Sequence, residues 1–217
     1  KEKATFNKPV SVPGANGHPW TKQQILSVAL NTGNASNRVR VLDRRVEKSV
    51  RLTEPQLDAL LGTMEKKDWD FVQSVWDYVD GFKKQSFDTA ERMTGVRPKS
   101  QDAQAFTNVY GSYRGGYYPV SYDPSKSQAA ARDVDSTLDD MMSTGRGSAA
   151  KVADGFTKDR AANGGGRALN YDFSVMMKHT RDTTRLIAMG EPVQNARRIL
   201  GHAGVNAAFR EGGVSNL

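Results

Sequence analysis

Asp68-Trp69-Asp70-Phe71-Val72-Gln73-Ser74-Val75-Trp76-Asp77-Tyr78-Val79 is the stretch that decides the fold. Trp69, Val72, Trp76 and Val79 recur at three-to-four spacing, which places them on one face of an α-helix. Phe71, Val75, Tyr78 and Phe82 stand beside that face and make it the widest apolar surface in the chain. The core is therefore expected here, with both tryptophans buried. Asp68 is the expected cap, and the helix is expected to run past Gly81 to Met93, where Gly95 ends it.

Upstream, Thr53-Glu54-Pro55-Gln56 reads as a helix start. Gln56 can reach back to the cap, and Pro55 sits in the first turn, where its missing N–H costs nothing. Leu57, Leu60, Leu61 and Met64 form the inner side of that helix. Trp20 to Leu30 carries Ile25, Leu26, Ala29 and Leu30 at helical spacing. Gly33 stops it, and Asn34 caps a further helix with Val39 and Leu42 on one side and Arg38, Arg44, Arg45, Lys48 and Arg51 largely elsewhere. Pro9, Pro13, Gly14, Gly17 and Pro19 make residues 1–19 an irregular arm.

Downstream, residues 104–123 turn aromatic and β-favouring, with glycine interruptions, and read as a hairpin or two short strands. A helix is expected over 125–142. Residues 143–168, rich in glycine, read as a long loop. A helix on Phe173, Met176, Met177, Thr180 and Ile187 follows, then a shorter one opened by Pro192 and ended at Leu200, then a last turn over 205–209. The expected fold is mainly α: an irregular helical bundle with one small β-hairpin, forming a single helical domain over 20–217 behind the arm.

The 217 residues include no cysteine, which excludes disulfides and thiolate chemistry. No apolar run approaches the roughly 18 residues of a membrane span. The opening Lys1-Glu2-Lys3 has no initiator Met and no apolar signal region, so the chain reads as a piece of something longer. The net charge of +7 is uneven. Residues 1–51 hold ten Lys/Arg against three Asp/Glu, whereas 52–123 hold eight against eleven. A basic N-terminal quarter suits either a solvated surface or a nucleic-acid contact through Arg38, Arg44, Arg45, Lys48 and Arg51.

Other chemistry is sparse. His18, His179 and His202 form no metal-ligand spacing, so no metal or cofactor is expected. Gly164-Gly165-Gly166-Arg167 lacks the lysine and hydroxyl of a phosphate loop. Asp139-Asp140 and the Asp68/Asp70 pair read as solvated carboxylates. Tyr113-Arg114-Gly115-Gly116-Tyr117-Tyr118-Pro119 is the most distinctive run. Its tyrosines and arginine could stack on unpaired bases, but packing over a helical core is the favoured reading.

Several runs together resemble a domain of large internal virion (ejection) proteins and polyvalent proteins of tailed bacteriophages. They are Ala29-Leu30-Asn31-Thr32-Gly33-Asn34 with Asn37-Arg38, Asp68 to Gln73 with Trp76-Asp77-Tyr78-Val79, Thr94-Gly95-Val96-Arg97-Pro98, the run 113–119, and Tyr122-Asp123-Pro124. The resemblance spans roughly 20–124 and, more loosely, 169–205. It implies a non-enzymatic structural module in the virion interior, packed against other virion chains or copies of itself and delivered to the host with the genome. It brings no catalytic residues. A nucleic-acid-binding module with DNA as partner is the alternative, and part of a peptidoglycan-degrading enzyme a second.

Overall fold

The computed structural model describes residues 6–48, 51–132 and 165–213. Within them run seven complete helices and a two-stranded antiparallel hairpin, a mainly α fold.

Helix α1 (Lys22–Leu30) is started by Thr21: the Gln24 amide donates to Thr21 Oγ1 (3.2 Å) and the Thr21 amide to Gln24 Oε1 (2.9 Å). Ile25 through Leu30 are all buried, so this short helix is a central pillar. Asn34 caps α2 (Ala35–Val41), accepting from the Asn37 amide at 2.9 Å. At α3 (Glu54–Leu61), Gln56 reaches back to the Thr53 amide at 2.9 Å with Pro55 in the first turn, as expected from the sequence.

The decisive stretch forms α4 (Lys66–Gly81). Trp69 and Trp76 are 5% and 1% exposed, and Val72 and Val79 are fully buried, so the core lies where the periodicity puts it. The helix starts two residues before Asp68. That carboxylate accepts from the Glu65 amide at 2.7 Å from inside the first turn, and pairs with Lys22. The chain breaks at Phe82 before α5 (Lys83–Thr94), which Gly95 ends in the left-handed region at φ 77°.

The hairpin is shorter than the aromatic stretch suggests. Strand β1 (Phe106–Asn108) pairs with β2 (Gly111–Tyr113) in the register Phe106 to Tyr113. The remaining tyrosines lie on irregular backbone, fastened by an isolated bridge between Tyr122 and Leu169. Residues 128–132 are helical; the helix expected from 125 starts three residues later, after a turn. The rest of the helix expected to 142, and the glycine-rich stretch 143–164, lie outside the described residues.

Helix α6 (Ser174–Leu200) corrects two expectations. It continues through Pro192 instead of restarting there. Contacts with α5 hold the two halves in line: Gln194 Nε2 donates to the Met93 carbonyl (2.9 Å) and Arg92 pairs with Glu191 (2.9 Å). Its buried face is also rotated from the expected one. Val175, His179, Thr183, Leu186 and Gly190 face inward, while Met177 is 65% exposed. A Cβ on Gly190 would stand 2.8 Å from Met93 Sδ, so the Met93 side chain of α5 packs directly over the glycine. Packing closeness, rather than hydropathy, chose the face. Helix α7 (Ala203–Glu211) extends the expected last turn.

The arm is irregular but anchored. Val10 and Trp20 bond each other's backbone in both directions (2.9 and 2.8 Å), and Val12 is buried in the core.

Candidate functional site

Three of the five runs that carry the resemblance, 29–38, 68–79 and 113–119, meet around one side chain. Trp76 donates its indole N–H to the Leu30 carbonyl at 3.0 Å. Gly33 and Gly116 press against its two ends. A Cβ on Gly33 would lie 2.4 Å from the six-membered ring, and one on Gly116 would lie 2.4 Å from Trp76 Cβ. The Gly33 carbonyl accepts from the amides of both Gln104 and Gly116 at 2.9 Å.

Three asparagines close the knot. Asn34 Nδ2 donates to the Gly116 carbonyl (3.1 Å), and Asn37 Nδ2 donates to the Tyr118 carbonyl (2.8 Å) and to Asn31 Oδ1 (3.3 Å). Asn31 Nδ2 answers Ser27 O at 2.8 Å. All three are 2% exposed or less. Buried amides are tolerable only when so paired. Here they hold irregular backbone that has neither helix nor sheet to satisfy it.

The tyrosines of the 113–119 run are part of the same core. Tyr113, Tyr117 and Tyr118 are 7%, 6% and 1% exposed, and Tyr113 stacks on Phe106 with ring centroids 5.6 Å apart. No face is left for a base to stack upon, and packing is the reading the burial supports. Burial also pushes the Tyr118 phenol well above its usual range. Arg114 lies outside this core and pairs with Asp77 at 2.8 Å.

The basic residues do not form one helical stripe, because α2 ends at Val41 and a chain of turns follows. Arg38 is half-buried and pairs with Glu54 at 2.5 Å. Arg45 grips Asp43 with two bonds of 3.0 and 3.1 Å. Asp43 also accepts from the Gly166 amide at 3.1 Å. Burial alone would raise its pKa, but the bonds from Arg45 and Gly166 outweigh it and hold the carboxyl below its ordinary value. Gly166 thus gives its amide to a carboxylate of this chain. Arg51 donates to the Arg44 carbonyl (3.1 Å), and the side chains of Arg44 and Lys48 lie in solvent.

Sequence spacing gave no sign of Arg40. It is 2% exposed and donates to Ser36 O, to Ser36 Oγ (2.6 Å) and, through Nε, to Tyr122 Oη (3.2 Å). Only long-range folding brings Tyr122 to it. His179 is likewise buried, with its ring centroid 5.9 Å from that of Tyr117. Among the described residues no group of His and carboxylates could hold a metal ion, and no helix is long and apolar enough to cross a membrane.

A cleft of about 420 Å³ lies under the hairpin, lined by Leu61, Met64, Trp69 and Phe106 together with Arg38 and Gln104. Val109 and Tyr110, at the hairpin tip, are 91% and 41% exposed. This is an apolar surface with a polar rim, suited to contact rather than to acid–base work.

No family model matches the chain, and neither a curated protein nor a solved structure matches it.

Proposed function

We propose that this chain is a structural module of a bacteriophage internal virion or ejection protein, without an enzymatic role of its own. It packs against other virion chains and enters the host with the genome. The observation that carries the reading is the convergence on Trp76. Three of the five runs that give the chain its resemblance provide the glycines, carbonyls and amides of one internal knot. Their polar groups bond to each other, so these motifs serve architecture and not substrate. The apolar cleft, with Val109 and Tyr110 projecting beside it, supplies a contact surface for a neighbouring virion chain.

The test is location. Particles of the phage that encodes the chain are purified, and genome release is triggered in vitro. Particles are immunoblotted before and after release with an antibody to this domain. The reading expects the chain in full particles and its loss from emptied ones. Absence from full particles overturns it.

A further inference from the structure

The C-terminal part of α6 is covered on one side only. Gly190 and Gln194 meet Met93 of α5. At 3.6 residues per turn, Ala188, Pro192, Asn195 and Ile199 line up in one seam on the side away from that contact. All four are exposed, Ile199 at 61%. Their spacing of four, three and four is that of the contact positions in a pair of helices. Met189, 50% exposed, and Ala196 flank the seam on one side, and Glu191 and Arg198 flank it on the other. Between Arg185 and Arg197, Glu191 is the only charged residue of the helix.

This pattern is complementary to itself. Lay two copies antiparallel about a two-fold axis, so that Ala188 of one faces Ile199 of the other and Pro192 faces Asn195. Like flanks then meet. On one flank Met189 lies over Ala196 of the second copy, whose small side chain leaves room for it. On the other flank Glu191 comes level with Arg198. Arg198 pairs with no acid among the described residues. Glu191 gives Oε2 to Arg92 at 2.9 Å, while its side chain stays 43% exposed. A parallel pair would instead set the charged flank against Met189 and Ala196, where no opposite charge waits. Asn195 lowers the stability of such a seam and fixes its register.

We infer that this face of α6 is a self-association surface, covered by the same face of a second copy of the chain in antiparallel register. The seam is about 17 Å long. It buries less than the roughly 800 Å² per partner of a stable complex, so the dimer is weak and depends on concentration. The inference stands on this face alone, and its failure would leave the test of virion location untouched.

Sedimentation equilibrium of the purified chain, from about 10 µM to 1 mM, should show monomer and dimer in exchange. Ile199→Asp should abolish the dimer and leave circular dichroism and Tm unchanged, since that side chain is already in solvent. Arg198→Glu should weaken association about tenfold, because the two-fold axis turns two attractions into two repulsions. Arg197→Glu makes the same change of charge on another side of the helix and should associate as the parent does. The chain has no cysteine, so introduced thiols report the orientation cleanly. Ala188→Cys and Ile199→Cys variants, mixed under mild oxidation, should form a disulfide-linked dimer that neither forms by itself. A chain that stays monomeric throughout, a dimer that Ile199→Asp leaves intact, or cross-linking of either variant alone to the level of the mixture overturns the inference.

Discussion

Trp76 and Leu30 are joined by a hydrogen bond of 3.0 Å from the indole N–H to the backbone carbonyl, in the driest part of the molecule. Leu30 is the last residue of α1, so its carbonyl has no partner further along its own helix. The indole provides one from α4. The largest core side chain thus also closes a helix end, and two glycines let the backbone approach its ring.

Truncating Trp76 should therefore exceed a simple loss of apolar volume. Trp76→Ala is expected to cost about 3–5 kcal/mol, as for a large buried aromatic. Trp76→Phe keeps most of the packing but strands the Leu30 carbonyl, at roughly 1–3 kcal/mol. Urea denaturation of the purified domain measures both. A Phe variant as stable as the parent would show that the bond contributes nothing.

Gly116→Ala should destabilise by overpacking, because the added methyl would sit 2.4 Å from Trp76 Cβ. Such intrusions cost about 1–3 kcal/mol. Pairing it with Trp76→Gly, which also removes that Cβ, makes room for the methyl, so the two costs should not add. A double-mutant cycle by denaturation reads this coupling directly, and strict additivity would contradict the contact.

Acid should loosen the link between the α2 exit and the 165–168 strand of chain. The Asp43 carboxyl is held below its ordinary value of 3.8. Its contribution is fully present above that value and is lost as pH falls through the lowered one. Asp43→Asn should therefore destabilise at neutral pH by about 1–3 kcal/mol. The gap between variant and parent should narrow as the solution is acidified into the range where Asp43 protonates. Denaturation curves across the acid range test this, and a gap independent of pH would contradict it.

The helical core was legible in the sequence because Trp69, Val72, Trp76 and Val79 repeat at the helical period, and Thr53 to Gln56 carry a start signal of purely local chemistry. The face of α6 was not. Thr183 and Gly190 lie inward because α5 comes close, and no hydropathy pattern encodes that distance. Pro192 reads locally as a helix start, but Gln194 and Glu191 fasten the helix across it from α5. The basic residues of 38–51 were visible as a charge excess, but the pairing of Arg38 with Glu54 and the bond from the Gly166 amide to Asp43 form only in three dimensions.

Burial of Tyr113, Tyr117 and Tyr118 also constrains nucleic-acid binding. Without exposed ring faces the domain should show no preference for a single strand over a duplex of equal length. Any binding should come from exposed cations such as Arg44 and Lys48 and fall steeply with salt. Fluorescence anisotropy with labelled strands measures this. A marked single-strand preference that Tyr117→Leu removes would contradict the placement of these rings.

The central claim is that the runs 29–38, 68–79 and 113–119 form one cooperative knot around Trp76. Native-state hydrogen exchange tests it most directly, by following the Trp76 indole N–H together with the Gly116 and Gln104 amides that bond to Gly33 O. One knot predicts that all three protons exchange only through the same opening, with equal free energy and equal denaturant dependence. A protected indole beside Gly116 and Gln104 amides that exchange freely would contradict the account.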